Sequence, residues 1–390
     1  MIRNARSVRS NLTRGAFPQP PVAGRIAPPP DRAPVEVGLS PPHFASLLEE
    51  AEDYLRGRDL YVQDGNGTTH PAYRMPLRVV TDSAHLACAV LPVHGKAAAP
   101  EFTIFATPGL APTRPRIAAD LDRRAAVISG ESAWNLLCHA AFLGASRAVG
   151  ERDALMLPNA SAHAGHDGEV ALVYGLSGEI AGLAADSDCQ LLAARGAGWA
   201  PEGVFRLSLE SGPDLPVLWP EPRHVVLLCS DWKGVLPRIA LLTPKQAILH
   251  LVNGYSHGRF HSCFSEDELP LPPASYARLL ARRLRAQNPH CWLVNTGWVG
   301  GPAGDGEKVL GSRLAMLLSA ALNGSLCRVS YNIDPIFQWL VPAACPGLPD
   351  QLLDARAAWS SPSDYDAAAR RLAGAMERNY QRFCPDPALA

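Results

Sequence analysis

The residues best suited to chemistry sit where the chain is expected to turn. Asp231 comes two residues after Val225-Val226-Leu227-Leu228-Cys229, an apolar run that reads as a buried strand. A carboxylate just past a strand end in an open α/β sheet is well placed to handle a proton, or it pairs with Lys233 or Arg259. His257 follows Gly254-Tyr255-Ser256 and is the second proton-handling candidate; with Arg259 it is a candidate to line a pocket there. Arg78, within Leu77-Arg78-Val79-Val80, is a candidate to hold an organic acid in a charge-assisted bidentate pair, or to make an interlobe salt bridge. Lys308 and Arg313 follow a glycine-rich segment, Gly297 to Gly306, and are candidates to meet an anionic ligand.

Other clusters carry weaker signals. His163, His166 and Asp167 could bind a transition metal, or could lie in a solvated hairpin loop. His250 falls in a helical stretch and reads as core-facing. Nine cysteines are scattered without a CxxC pair, which excludes a zinc ribbon and a disulfide framework. Cys263 has no clear base beside it and reads as a buried thiol.

The elements that must position these residues alternate strand and helix, so the expected class is α/β with mixed sheets. A helix starts near Ser40-Pro41-Pro42, with Phe44, Leu47, Leu48 and Ala51 at helical spacing. Strands are expected at 60–62, 77–80, 102–105, 125–128, 170–174, 225–229 and 292–295. Helices are expected at 84–90, 134–142, 273–286, 312–321 and 363–383, the last capped by Ser363 or Asp364, and another starts at Thr243-Pro244. Three parts are expected: a Pro-rich flexible arm over 1–35, an N-terminal lobe over 36–168 and a C-terminal lobe over 169–390. A net charge of -1 gives no electrostatic reason to expect nucleic acid or an anionic membrane as partner. No apolar run is long enough to span a bilayer, and the basic start lacks the apolar core of a secretory signal, so a cytoplasmic location is expected.

The order of segments from about 45 to 383 resembles the ATP-type phosphoenolpyruvate carboxykinase family. Trp292-Leu293-Val294-Asn295-Thr296-Gly297-Trp298-Val299-Gly300-Gly301 is close to that family's WLVNTGWTGG segment. Asp231-Trp232-Lys233-Gly234-Val235-Leu236-Pro237 resembles DAFGVLPP, and Gly57-Arg58-Asp59-Leu60-Tyr61-Val62-Gln63-Asp64 resembles GRDLFVQD. Leu242-Thr243-Pro244-Lys245-Gln246-Ala247, Gly254-Tyr255-Ser256 and Ser262-Cys263-Phe264 match further segments in order. The resemblance implies a bilobal carboxykinase fold with nucleotide and metals between the lobes. It also implies that Arg78 is the carboxylate-binding arginine and that Asp231 belongs to the metal region.

The departures from that pattern are specific. Gly175-Leu176-Ser177-Gly178 matches the start of the family's GLSGTGKTT phosphate loop, but Glu179, Ala181 and Gly182 follow. Ala181 stands at the phosphate-contacting lysine and Gly182 at the magnesium-binding threonine. Ala194 and Arg195 replace two metal-region acids, Asn159 replaces a metal-binding histidine, and Cys138 and His139 fall near the paired lysines. The substrate tyrosine falls near Ala133. No counterpart of the TGRSPKDK or TENTR segments is found.

These departures lead to an expectation of an enzyme repurposed from the degenerate phosphate loop. It would act on a small organic acid without ATP, by decarboxylation or another lyase-type reaction, with Asp231 and His257 catalytic and Arg78, Lys308 and Arg313 binding substrate. No metal and no cofactor is expected. The alternatives are a non-catalytic ligand sensor or protein-binding scaffold, and a genuine phosphoenolpyruvate carboxykinase using ATP.

Overall fold

The computed structural model describes residues 5–7, 35–89, 99–130, 133–165, 168–176, 190–193, 196–210, 218–265, 269–308, 311–349 and 353–384. Most of the Pro-rich arm lies outside the described residues. The chain divides into two units. One takes Met1–Met156, Phe205–Leu218 and Asp267–Leu271, and the other takes Leu157–Val204, Trp219–Glu266 and Pro272–Ala390. The break therefore falls at Met156 rather than at the expected residue 168. The reason is local: Ala160–Ala164 pairs antiparallel with Val170–Tyr174, so this hairpin belongs to the second sheet.

The first unit is built on a seven-stranded sheet. Its spatial order is Ala5–Ser7, Leu60–Asn66, Pro76–Thr81, Phe102–Thr107, Ala125–Ser129, Arg116–Asp120 and Val35–Val37. Pro76–Thr81, Phe102–Thr107 and Ala125–Ser129 run parallel; Leu60–Asn66 is antiparallel to Pro76–Thr81 and Arg116–Asp120 to Ala125–Ser129, while the two outermost strands pair parallel with them. Helix Pro41–Leu55 buries Phe44, Leu47, Ala51 and Leu55, and its apolar stripe packs on Ala118 and Val127 of the sheet. Ser40 occupies the N-cap but makes no side-chain cap bond; Pro41 at the first turn, with its fixed φ, is what starts the helix.

The second unit is built on an eight-stranded sheet. Its order is Gln190–Ala193, Ala160–Ala164, Val170–Tyr174, Pro222–Cys229, His290–Asn295, Ile239–Leu242, Leu340–Pro342 and Tyr331–Ile333. Val170–Tyr174, Pro222–Cys229 and His290–Asn295 lie side by side and parallel, so their carboxyl ends share one edge. These three strands are near-continuous apolar runs because both faces are covered. Helix Pro244–Asn253 opens with a capping box between Thr243 and Gln246 and ends at Gly254 in the left-handed region. Helix Pro362–Phe383 begins two residues earlier than expected at its cap, because Ser361 accepts from the Asp364 amide at 3.3 Å.

Two buried histidines tie this unit's stability to pH. His163, on strand Ala160–Ala164, pairs with the Ser161 hydroxyl at 2.8 Å, and burial pushes its pKa down to about 4. His250 lies edge-on to Trp339 at 4.8 Å, and burial pushes it down to about 3. Both folded values lie below the unfolded one, so the stability from keeping them neutral is present above about pH 6.5. It is lost as pH falls from there through about 4 and then 3. Denaturant midpoints measured from pH 8 down to pH 4 should fall below pH 6.5, and His250→Gln should flatten that fall while lowering the midpoint at pH 8.

Candidate functional site

The shared edge of the three parallel strands is where an open α/β sheet presents a ligand site. Three turns leave it, after Tyr174, Cys229 and Asn295. The first is described only through Leu176. Glu179, Ala181 and Gly182 lie outside the described residues, as do Ala194, Arg195, His166 and Asp167.

The turn after Cys229 is organised by Asp231, which is fully buried. Its Oδ1 accepts from the Lys233 amide at 2.8 Å and from the Tyr255 hydroxyl at 2.9 Å. Its Oδ2 accepts from the amides of Val235 at 2.7 Å and Leu236 at 2.8 Å. Four donors occupy the lone-pair positions of one carboxylate. Burial pushes the Asp231 carboxyl above its usual range, and the bonds from Leu236, Lys233, Tyr255 and Val235 oppose that rise. Burial together with Asp231 in turn pushes the Tyr255 hydroxyl up.

Asn295 joins this turn to the next. Its Oδ1 accepts from the Asp231 amide at 3.0 Å and the Gly297 amide at 2.8 Å. Its Nδ2 donates to the carbonyls of Leu236 at 3.1 Å and Trp298 at 3.0 Å. The two turns also bond through their backbones, from the Trp298 amide to Asp231 at 2.7 Å and from the Ala303 amide to Trp232 at 2.8 Å. Gly234 has φ of 69°, and a Cβ there would enter the Gly301 carbonyl. Only glycine fits so close an approach. Trp359 Nε1 donates to the Gly234 carbonyl at 2.8 Å, and the Tyr365 hydroxyl donates to Val235 at 3.1 Å. The segment therefore has almost no freedom.

The singled-out residues fall in different settings. Asp231 meets the Lys233 backbone, not its ammonium, and no pairing with Arg259 is present. His257 is exposed at a hairpin turn near Asp231, with φ of 50°. Lys308 is exposed on a short strand opposite Trp298. Arg313 is held by Glu307, which also meets the buried Arg238 at 3.3 Å. Arg78, in the first unit, donates from Nε and Nη2 to Asp64 at 2.7 and 2.8 Å across the strand pair. That pair is internal to one unit. Asn159 donates to the Phe264 carbonyl at 2.6 Å, and Cys263 is a buried thiol pushed up by burial. His163 lies in a strand rather than in a loop. The hub role of Asn295 went unread, although a carboxamide ending a buried strand was a visible signal.

A divalent cation does not fit at Asp231 as it is placed, because both oxygens already accept two hydrogen bonds each. Among the described residues no group of three His, Cys, Asp or Glu could hold a metal ion.

The phosphoenolpyruvate carboxykinase family profile matches residues 32–213 and 214–351. Phosphoenolpyruvate carboxykinase (ATP) 2 of Moorella thermoacetica is 31% identical over 432 residues, covering 88% of this chain and 82% of that protein. Phosphoenolpyruvate carboxykinase (ATP) 1 of the same organism is 30% identical, covering 87% and 81%. The Pelobacter propionicus phosphoenolpyruvate carboxykinase (ATP) is 28% identical, covering 89% and 82%. The chain belongs to the ATP-type phosphoenolpyruvate carboxykinase family. This corrects the expectation of an enzyme repurposed to work on organic acids without ATP. The similarity runs through both halves of the chain, and the relatives are named for ATP and phosphoenolpyruvate.

Removing the Asp231 carboxylate strands four donors in a dry turn. Asp231→Ala should cost about 3–5 kcal/mol of stability, seen as a lower denaturant midpoint. Tyr255→Phe, which removes one donor and leaves three, should cost about 1–2 kcal/mol by the same measurement.

Proposed function

We propose that this chain is a phosphoenolpyruvate carboxykinase that works with ATP. The observation that carries the reading is the family match over residues 32–351, with relatives of that name covering most of both chains. The rigid strand edge of the second unit supports it, since phosphoryl transfer depends on fixed placement and fixed charge.

Carboxylating phosphoenolpyruvate at its methylene carbon with carbon dioxide gives oxaloacetate. A carbon–carbon bond forms, the phosphorus–oxygen bond to the enol breaks, and the phosphoryl group passes to ADP to give ATP. Phosphoenolpyruvate, ADP and oxaloacetate are anions, so the chain's cations bind them. Arg78 keeps Nη1 beyond its pair with Asp64. Lys308, exposed on its strand, would meet phosphate. Asp231 acts as a positioning residue: its oxygens are spent on the turn, and it fixes the backbone that faces the ligand. His257 stands exposed at the turn's rim. No step is routed through a metal, because Asp231 does not accommodate one.

With Ala181 in the phosphate loop, nucleotide is held without a lysine there. Purified protein given phosphoenolpyruvate, ADP and labelled bicarbonate should fix label into an acid-stable product. Ala181→Lys should tighten ATP binding roughly tenfold, the worth of about 1.4 kcal/mol. A folded protein that fixes no label with either magnesium or manganese present would overturn the reading.

A further inference from the structure

The turn after Cys229 holds its backbone rigidly and leaves the side chains of Trp232 and Lys233 exposed. Trp232 is 48% exposed, although a tryptophan so placed leaves much of a large apolar ring in water. It is one of three large hydrophobic residues exposed among the described residues. Its backbone carbonyl is fixed by the Ala303 amide, and the next residue's amide is fixed by Asp231. A swing of the loop therefore cannot bury the ring.

A second element converges on it. Tyr255–Ser256 and Arg259–Phe260 form a hairpin closed by His257 and Gly258, with φ of 50° and 73°. A two-residue turn of this hand needs positive φ at both positions, a place that favours Asn, Asp or Gly. Histidine is used there instead, at a backbone cost. The His257 amide donates to the Ser230 carbonyl at 2.7 Å, its Nδ1 meets the Ser256 hydroxyl at 3.3 Å, and its ring stands edge-on to Trp232 at 5.6 Å. The hairpin thus braces the tryptophan.

Charge follows the same rim. Lys233 and Arg259 are both exposed, and neither side chain has a hydrogen-bonded or ionic partner among the described residues. The acid nearest in sequence, Asp231, lies buried and saturated under Lys233, and Asp305 is exposed in the adjoining glycine-rich turn. The arrangement is a fixed aromatic plate with an adjacent ammonium group, at the carboxyl end of parallel strands.

We infer that Trp232 and Lys233, braced by His257, form a lip that binds a phosphorylated ligand bearing a flat unsaturated group. Lys233 takes the phosphoryl charge, and the Trp232 ring packs on the flat part. This rests on the carboxykinase reading for its choice of ligands. Phosphoenolpyruvate and adenine nucleotide share that chemistry.

Both side chains face solvent, so their variants should keep the wild-type denaturant midpoint. Calorimetric titration of the full chain with phosphoenolpyruvate, ATP and inorganic phosphate, each separately, reads the site without turnover. Lys233→Met should weaken every phosphorylated ligand that wild type binds, by about tenfold. Trp232→Ala should weaken phosphoenolpyruvate or ATP but not inorganic phosphate, and Trp232→Phe should restore the loss. Whichever organic ligand responds to Trp232 is the one seated on the ring. Wild-type affinities in both Lys233→Met and Trp232→Ala would overturn the lip, as would a wild-type protein that binds none of the three. Label fixation with unaltered variant affinities would reject the lip and leave the carboxykinase reading standing. Lys233-dependent binding without label fixation would do the reverse.

Discussion

The second unit turns on one buried carboxylate. Asp231 gathers three backbone amides and one phenol, and in doing so forces residues 231–236 into a single shape. A buried charge is tolerated only when its partners are complete, so the turn is held to that shape in an all-or-none way. Asn295 extends the same logic to the neighbouring strand end, using both donors and both acceptor positions. Gly234 then lets the two turns touch, and Trp359 and Tyr365 seal the outside. The edge where a ligand would meet this unit is rigid before any ligand arrives.

That rigidity separates two kinds of residue that sequence alone runs together. Asp231 looks like an acid–base group because it follows a strand end, yet its oxygens are consumed by the fold. Lys233, beside it, looks like a mere salt-bridge partner and is the group left free. The same inversion holds for Arg313, committed to Glu307, against Lys308, which stays exposed. Chemistry-bearing residue types nominate candidates, and hydrogen-bond accounting shows which of them the fold has already occupied.

Much of the architecture was legible beforehand. Apolar runs at 170–174, 225–229 and 292–295 became three adjacent parallel strands, and Thr243-Pro244 became a capped helix start. The division at Met156 follows from strand pairing between Ala160–Ala164 and Val170–Tyr174, a tertiary choice with no composition change to announce it. His163 was read as loop for the same reason: its neighbours are small and weakly patterned. The absence of a lysine at Ala181 is a local departure, whereas similarity to the carboxykinase family runs across both halves of the chain.

The most direct test follows phosphorus. ATP and oxaloacetate incubated with the purified chain can be watched by phosphorus magnetic resonance, with magnesium and manganese tried in turn. The account predicts an enol phosphate signal that grows as the ATP γ-phosphate signal declines, along with release of carbon dioxide. ATP left intact beside folded protein, or cleaved only to inorganic phosphate, would contradict it.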